Sequence, residues 1–239
     1  MSKILIIVPA FNEAKNILNV INSLKNENNF WDIIVINDGS SDETGYIANS
    51  SGKAFVINLI FNLGIGGAVQ TGFKFAYRNG YDIAIQFDGD GQHIASEVNK
   101  LLNPIIEGSA DVVIGSRFLG KNNGWKSTLS RRIGIKTFYL INYILIKQKI
   151  TDNTSGFRAY NKRAIKFLSA NYPTDYPEPE AVILLGRNGF VINEVFTPMK
   201  QREGGKSSIY GIKSAYYMIK VLLSVFFTFV RPKISSKEI

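Results

Sequence analysis

Five short apolar runs punctuate the first half of the chain, at residues 4–8, 33–36, 54–57, 83–87 and 112–114. They lack the polar alternation of a half-exposed strand, and that continuity predicts strands buried on both faces. Between them, apolar residues recur at helical spacing. Ile17, Val20, Ile21 and Leu24 fall on one side of a helix. Ser40 followed by Glu43 has the spacing of a capping box for a second helix. Residues 68–77 and 97–106 suit a third and a fourth. Strands alternating with helices imply a parallel sheet covered on both faces. No internal repeat or low-complexity linker interrupts the chain. After residue 116 the composition shifts toward Arg, Lys and aromatics, so a second half is expected to be grafted onto the first within one compact unit.

In an open α/β sheet, ligands gather outside the carboxyl ends of the strands. The residues that follow the five runs are Pro9-Ala10-Phe11-Asn12-Glu13, Asn37-Asp38-Gly39-Ser40-Ser41-Asp42, residues 58–67, Asp88-Gly89-Asp90-Gly91-Gln92-His93 and Gly115-Ser116-Arg117-Phe118. Each alone could be a turn, since Asp, Gly and Ser are what turns require. Together, at one rim, they form a pattern. The sharpest chemistry lies at Asp88 and Asp90. Two carboxylates two residues apart repel each other unless a cation sits between them, and hard oxygen ligands suit Mg²⁺ or Mn²⁺. Such an ion would hold the phosphates of a nucleotide diphosphate and neutralise a leaving group. A solvated Asp-Gly turn is the competing reading. An EF-hand starts with the same spacing, but His93 and Asn99 stand where it needs Gly and Glu. Val69 replaces the third glycine of a dinucleotide fingerprint, and Lys200 stands where a P-loop ending at Gly205-Lys206-Ser207 needs its first.

Composition narrows the field. The chain has 239 residues, no Cys and one His, His93. Disulfide frameworks, thiolate sites, cysteine nucleophiles and multi-histidine sites are therefore excluded. A net charge of +9 and a pI of about 9.6 favour anionic partners. No helix-turn-helix or RNA-binding signature accompanies that charge, so nucleic acid is not expected. The apolar stretches fall short of the roughly 20 residues of a spanning helix. The first run is soon followed by Glu13, unlike a signal peptide. A cytoplasmic location is expected. Two segments suit a bilayer interface. Residues 137–146 are flanked by Arg131, Arg132 and Lys136, then by Lys147 and Lys149; residues 215–230 are followed by Arg231 and Lys233. A core helix or a contact in a homo-oligomer is the alternative for each.

The motifs PAFNE, NDGSSDET, NLGIGGA, FDGDGQH, GSRF and SGFR, in that order, resemble those of the family-2 glycosyltransferases with the GT-A fold. Within that family they are similar to the dolichyl- and polyprenyl-phosphate sugar synthases. The resemblance covers residues 3–208. It implies an α/β architecture, a mostly parallel sheet flanked by helices with a C-terminal apolar or amphipathic helix. Residues 1–208 would form the transferase domain, with a nucleotide-sugar half (1–116) and an acceptor half (117–208). Residues 209–239 would form a membrane-interface or oligomerisation helix with a basic tail. A UDP- or GDP-sugar donor would be held by Pro9, Ala10, Asn12, Glu13, Asp38, Asn62, Gly64, Asp88, Gly89 and Asp90. A Mg²⁺ or Mn²⁺ ion would sit on Asp88, Asp90 and Gln92. Asn37 departs from the second Asp that many relatives carry there.

For the acceptor half the resemblance implies arginines that grip phosphate, Arg117, Arg131 and Arg132. It also implies that Thr154-Ser155-Gly156-Phe157-Arg158 lines the donor sugar and acceptor region. Asp152 lies just ahead of that segment, and Glu180 resembles an acid that faces the acceptor. Arg202 and Lys206 fall in a segment similar to the family's R-x-x-G-x-S-K. Solvated surface is the competing reading for the arginines, Arg158 included. The expected catalytic set is Asp90, Arg117, Arg131, Arg202, Glu180 and Asp152. The acceptor would attack the anomeric carbon opposite the leaving nucleoside diphosphate and invert it. A polyprenyl phosphate is already anionic and needs positive charge rather than a base. A sugar hydroxyl, the alternative acceptor, needs a carboxylate base, with Glu180 or Asp152 as candidates. The first reading predicts a peripheral enzyme on the inner face of the membrane.

Overall fold

The computed structural model describes residues 2–119, 129–200 and 212–234, without the side chains of 129–135 and 212–219. Seven strands form one sheet: β1 (Ile4–Ala10), β2 (Asp32–Asn37), β3 (Phe55–Asn58), β4 (Ile83–Gln86), β5 (Val112–Ser116), β6 (Arg158–Asn161) and β7 (Ile192–Phe196). Their order is β3-β2-β1-β4-β6-β5-β7. Every pairing is parallel except those of β6, which runs antiparallel to both β4 and β5. The carboxyl ends of the six parallel strands therefore share one rim with the amino end of β6.

Successive side chains of a strand point to opposite faces, and the first strand divides two cores accordingly. Leu5 and Ile7 pack in one, Ile6 and Val8 in the other. Helices α1 (Ile17–Glu27), α2 (Thr44–Ser50) and α4 (Val98–Ile106) cover the Ile6 face. Helices α3 (Gly64–Arg78), α5 (Leu129–Ile146), α6 (Lys162–Asn171), α7 (Pro177–Arg187) and α8 (Ile212–Val230) cover the other.

Two local expectations change. Ser40 and Glu43 form no capping box. Ser40 Oγ accepts the N–H of Asn12 (2.9 Å), and Asp42 takes the N–H of Thr44 (3.0 Å) at the start of α2. The neighbouring loop thus outcompetes the helix for the serine. The third helix begins at Gly64 rather than Ala68. The sheet is mostly parallel, as expected; its one antiparallel member, β6, is a four-residue strand too short to show a period and went unread in the sequence. Helices α5 and α8 each bury one side. Phe138, Asn142 and Ile146 point inward from α5, and Val221, Val225 and Thr228 from α8. Among the described residues no helix is long and apolar enough to cross a membrane.

Candidate active site

At the rim, the loops after β1, β2 and β3 are tied to one another. Asn12 adopts a left-handed backbone (φ 56°), which Asn tolerates better than most residues. Its Oδ1 accepts the N–H of Ser41 at 2.9 Å. Glu13 N–H donates to Thr44 Oγ1 (2.8 Å) and Ala14 N–H to Asp42 Oδ2 (3.1 Å). Burial raises the Asp42 pKa, but the hydrogen bonds from Thr44 and Ala14 outweigh it and hold the carboxyl below its ordinary range. Asp38 is buried, and its Oδ1 accepts the N–H of Leu63 at 2.7 Å. Gly39 (φ 67°) presses on the third loop: a Cβ there would lie 2.8 Å from the Asn62 nitrogen, so only glycine fits. Asn62 Oδ1 accepts the N–H of Gly64 (3.0 Å). Pro9 and Ala10 are buried; Pro9 O accepts from Gly89 N–H (3.2 Å) and Ala10 O from Asp38 N–H (2.9 Å). The expected donor-binding residues thus form one hydrogen-bonded rim.

Beyond the end of β4, Asp88 Oδ2 pairs with His93 Nε2 at 3.1 Å. Burial pushes the Asp88 pKa up, but the hydrogen bond from His93, the Gln86 amide and the Arg117 charge outweigh it. The carboxyl stays below its ordinary range and is ionised near neutrality. Asp90 Oδ1 accepts the N–H of Gln92 (3.0 Å), and Gln92 Nε2 donates to Lys200 O (3.4 Å). Asp90 also borders a cavity of about 330 Å³ shared with Asn16, Gly91, His93 and Lys200. Among the described residues no group of three or more His, Cys, Asp or Glu could hold a metal. The two carboxylates and the Gln92 amide oxygen suit a hard divalent cation that takes its other ligands from water and phosphate. They do not make a closed protein cage.

The reversed strand β6 carries the second half into this rim. Its register sets Arg158 beside Gln86 of β4 and Ile114 of β5. Residues 154–157 therefore arrive between the Asp88 loop and Arg117. Arg117 grips Asp152 with two prongs, Nε to Oδ2 and Nη2 to Oδ1, both 2.7 Å, and Nη2 also reaches Thr154 Oγ1 at 2.7 Å. The N–H of buried Asp152 donates to Glu194 Oε1 (2.7 Å), and that of Thr151 to Glu194 Oε2 (2.8 Å). Burial opposes the charge on Arg117, but Asp152, helped by Asp88, more than restores it. Burial likewise opposes the charge on Asp152, and the hydrogen bond and charge of Arg117 keep that carboxyl below its ordinary range. Burial raises the Glu194 carboxyl, against the N–H bonds from Thr151 and Asp152.

Arg158 is not solvated surface. It is 0% exposed and donates to Ser155 O (2.7 Å), Asn153 O (2.8 Å) and Glu178 O (3.0 Å). It staples the approach loop to the start of α7. Glu180 is not brought into the cluster. Its Oε1 accepts the N–H of Tyr176 (2.9 Å), and its Oε2 accepts from Thr228 Oγ1 (2.9 Å), so it closes its own helix and holds α8. Two residues along a helix turn about 200°, and it is Glu178 that feels Arg158 and Asp88. Burial raises the Glu178 carboxyl; Arg158 opposes and Asp88 adds to the rise. The side chains of Arg131 and Arg132, and all of Arg202 and Lys206, lie outside the described residues. Sequence reasoning missed Glu178 and Glu194. The signal for Glu194 is an acid between the apolar ends of a short strand, Ile192 and Val195-Phe196.

A mostly parallel α/β sheet with paired aspartates beyond its fourth strand is the GT-A architecture. It is similar in fold to glucosyl-3-phosphoglycerate synthase of Mycobacterium tuberculosis, crystallised with Mn²⁺, uridine-diphosphate and phosphoglyceric acid. The TM-score is 0.69 at 19% identity, covering 97% of this chain and 80% of that one. The chain belongs to glycosyl transferase family 2, whose profile matches residues 5–168. It is 37% identical to a UDP-N-acetylglucosamine–dolichyl-phosphate N-acetylglucosaminyltransferase of Methanococcus voltae, over 80% of this chain and 83% of that protein. It is 29% identical to a polyprenol monophosphomannose synthase of Mycolicibacterium smegmatis, over 91% of this chain and 84% of that protein.

Proposed function

We propose that this glycosyltransferase moves a sugar from a UDP- or GDP-sugar to a polyprenyl phosphate, with inversion at the anomeric carbon. One observation carries the choice of acceptor. The two carboxylates that the sequence offered as a base for a hydroxyl acceptor are both committed, Asp152 to Arg117 and Glu180 to Thr228 and the Tyr176 N–H. An anionic acceptor needs no base, and Arg117 offers the charge that brings two anions together. The names of the relatives from Methanococcus voltae and Mycolicibacterium smegmatis support a lipid-phosphate acceptor.

Asp88, Asp90 and Gln92 would hold Mg²⁺ or Mn²⁺, and the ion when bound would neutralise the leaving diphosphate. The loops around Asn12, Asp38 and Asn62 would shape the nucleotide pocket. An oxygen of the acceptor phosphate would form the new bond to the anomeric carbon as the bond to the nucleoside diphosphate breaks. Arg117, fixed by Asp152 and Thr154, would hold the incoming phosphate on the opposite side.

We take residues 1–208 as the transferase unit and 209–239 as its membrane-facing helix and basic tail. The faces of α5 and α8 turned away from the core support a peripheral site on the cytoplasmic side of a membrane. Leu140, Tyr143 and Ile144 are exposed on α5, as are Leu223, Phe226, Phe227 and Val230 on α8, with Arg231 and Lys233 following. Apolar faces with basic flanks suit an anionic interface.

The test is a transfer assay with a panel of UDP- and GDP-sugars and a polyprenyl phosphate in detergent, run with Mn²⁺, Mg²⁺ or a chelator. The expected product is a lipid-linked sugar labile to mild acid, lost on chelation. An acid-stable product, or transfer to a sugar hydroxyl alone, would refute the reading.

A further inference from the structure

The cation reading rests on Asp88, and two residues lie against that side chain. His93 is 5% exposed. Its ring stacks on Phe157, with centroids 4.8 Å apart and planes at 25°, and meets Phe87 edge-on at 5.4 Å. Phe87 and Phe157 also meet edge-on at 5.4 Å, so three rings lock one another's orientation. The Nδ1 of His93 is buried without a hydrogen-bond partner, while Nε2 faces Asp88 Oδ2 at 3.1 Å. A ring whose one partner is a carboxylate carries its proton on Nε2, so the imidazole donates to Asp88. Gly156 also lies against this carboxylate. A Cβ at that position would sit 2.6 Å from Asp88 Oδ2 and 2.8 Å from Oδ1, so the bare glycine backbone lies against the carboxylate.

We propose that His93 is a positioning residue for the cation site, holding the Asp88 carboxylate in its ligating orientation within a clamp completed by Gly156 and Phe157. The proposal deepens the cation reading and rests on it. Gly156 and Phe157 belong to the segment that precedes reversed strand β6, so the acceptor half finishes a site whose ligands come from the nucleotide half. Hydrogen-bonding partners of metal-ligating groups set affinity through orientation.

The test is Mn²⁺ binding by the full chain, read by electron paramagnetic resonance in the presence of UDP and, separately, GDP, with thermal unfolding in parallel. His93→Phe keeps a ring in the box and removes the donor. Its Mn²⁺ affinity should fall about 10–100-fold with the fold retained. His93→Gln, which restores an N–H near the same place, should recover part of the loss. Gly156→Ala should weaken binding by pushing the carboxylate aside. If His93→Phe fails to fold, His93→Gln and Gly156→Ala decide. Folded variants that bind Mn²⁺ within about twofold of the parent, against the loss expected of a lost orienting partner, overturn the proposal and leave the cation reading intact. A parent protein that binds no Mn²⁺ overturns both.

Discussion

The two halves of the rim are built from different interactions. In the N-terminal half, residues 1–116, short polar side chains and backbone groups join loops that neighbouring parallel strands already bring together: Asn12 to Ser40 and Ser41, Asp42 to Ala14 and Thr44, Asp38 to Leu63. In the half that follows residue 116, buried and half-buried charges hold a loop in place. Arg117 is locked to Asp152, Asp152 and Thr151 lean on Glu194, and Arg158 staples three carbonyls. The reason lies in topology. A βα unit of a parallel sheet delivers its loop to the carboxyl rim automatically. A strand inserted backwards delivers its approach loop only if something pins it there.

That contrast can be broken or sharpened by substitution. The largest effect is expected where the halves meet. Asp90→Ala should lower kcat about 10³-fold, the several kcal/mol that a metal ligand controls, with an unchanged melting temperature; metal-dependent turnover checks it. Next comes Asp152→Ala, which leaves the half-buried Arg117 charge without its carboxylate partner. A loss of about 3–5 kcal/mol is expected by urea unfolding. The pH dependence has a definite sign. The Asp152 carboxyl is held below its ordinary value in the folded chain. Its contribution is therefore complete above the unfolded value, about 3.9, and disappears as pH falls through the lower folded value. The gap in urea midpoint between the parent and Asp152→Asn should narrow over that acid window and stay constant above it.

Asp42→Ala probes the N-terminal half. It removes exposed, neutral-partner hydrogen bonds and should cost about 1 kcal/mol or less. A loss as large as that at Asp152 would erase the distinction between the halves. The smallest effect on stability, within about 0.5 kcal/mol, is expected from the double substitution Phe226→Ser and Phe227→Ser on the outer face of α8. Co-sedimentation with anionic vesicles should nonetheless fall. Unchanged vesicle binding would remove that face from the membrane proposal.

How much was readable in advance follows the same division. Strands β1, β2, β4 and β5 are continuous apolar runs because helices cover them on both sides, whereas the equally apolar run of β3 lies at the sheet edge with Phe55 half exposed. The Asp88-Gly89-Asp90 turn was readable because two adjacent carboxylates demand a cation or solvent. Strand β6 reads Arg-Ala-Tyr-Asn, and nothing in four residues of that kind marks a central strand. Arg158 resembles a surface residue until three carbonyls and a burial of its whole side chain are seen together. Glu178 and Glu180 lie two residues apart on one helix turn, and only the packing of α7 decides that Glu178 is the one that feels Asp88.

Local chemistry in the chain determined the parallel βα framework, the rim on which the loops converge and the paired aspartates at a strand tip. Each depends on residues close together in sequence. Only the tertiary structure decided that Asp152 serves Arg117, that Arg158 lies inside, and that His93 and Gly156 both lie against Asp88. Those choices turn on which charges end up beyond the reach of water. That is a property of packing between distant segments, and no run of neighbouring residues encodes it alone.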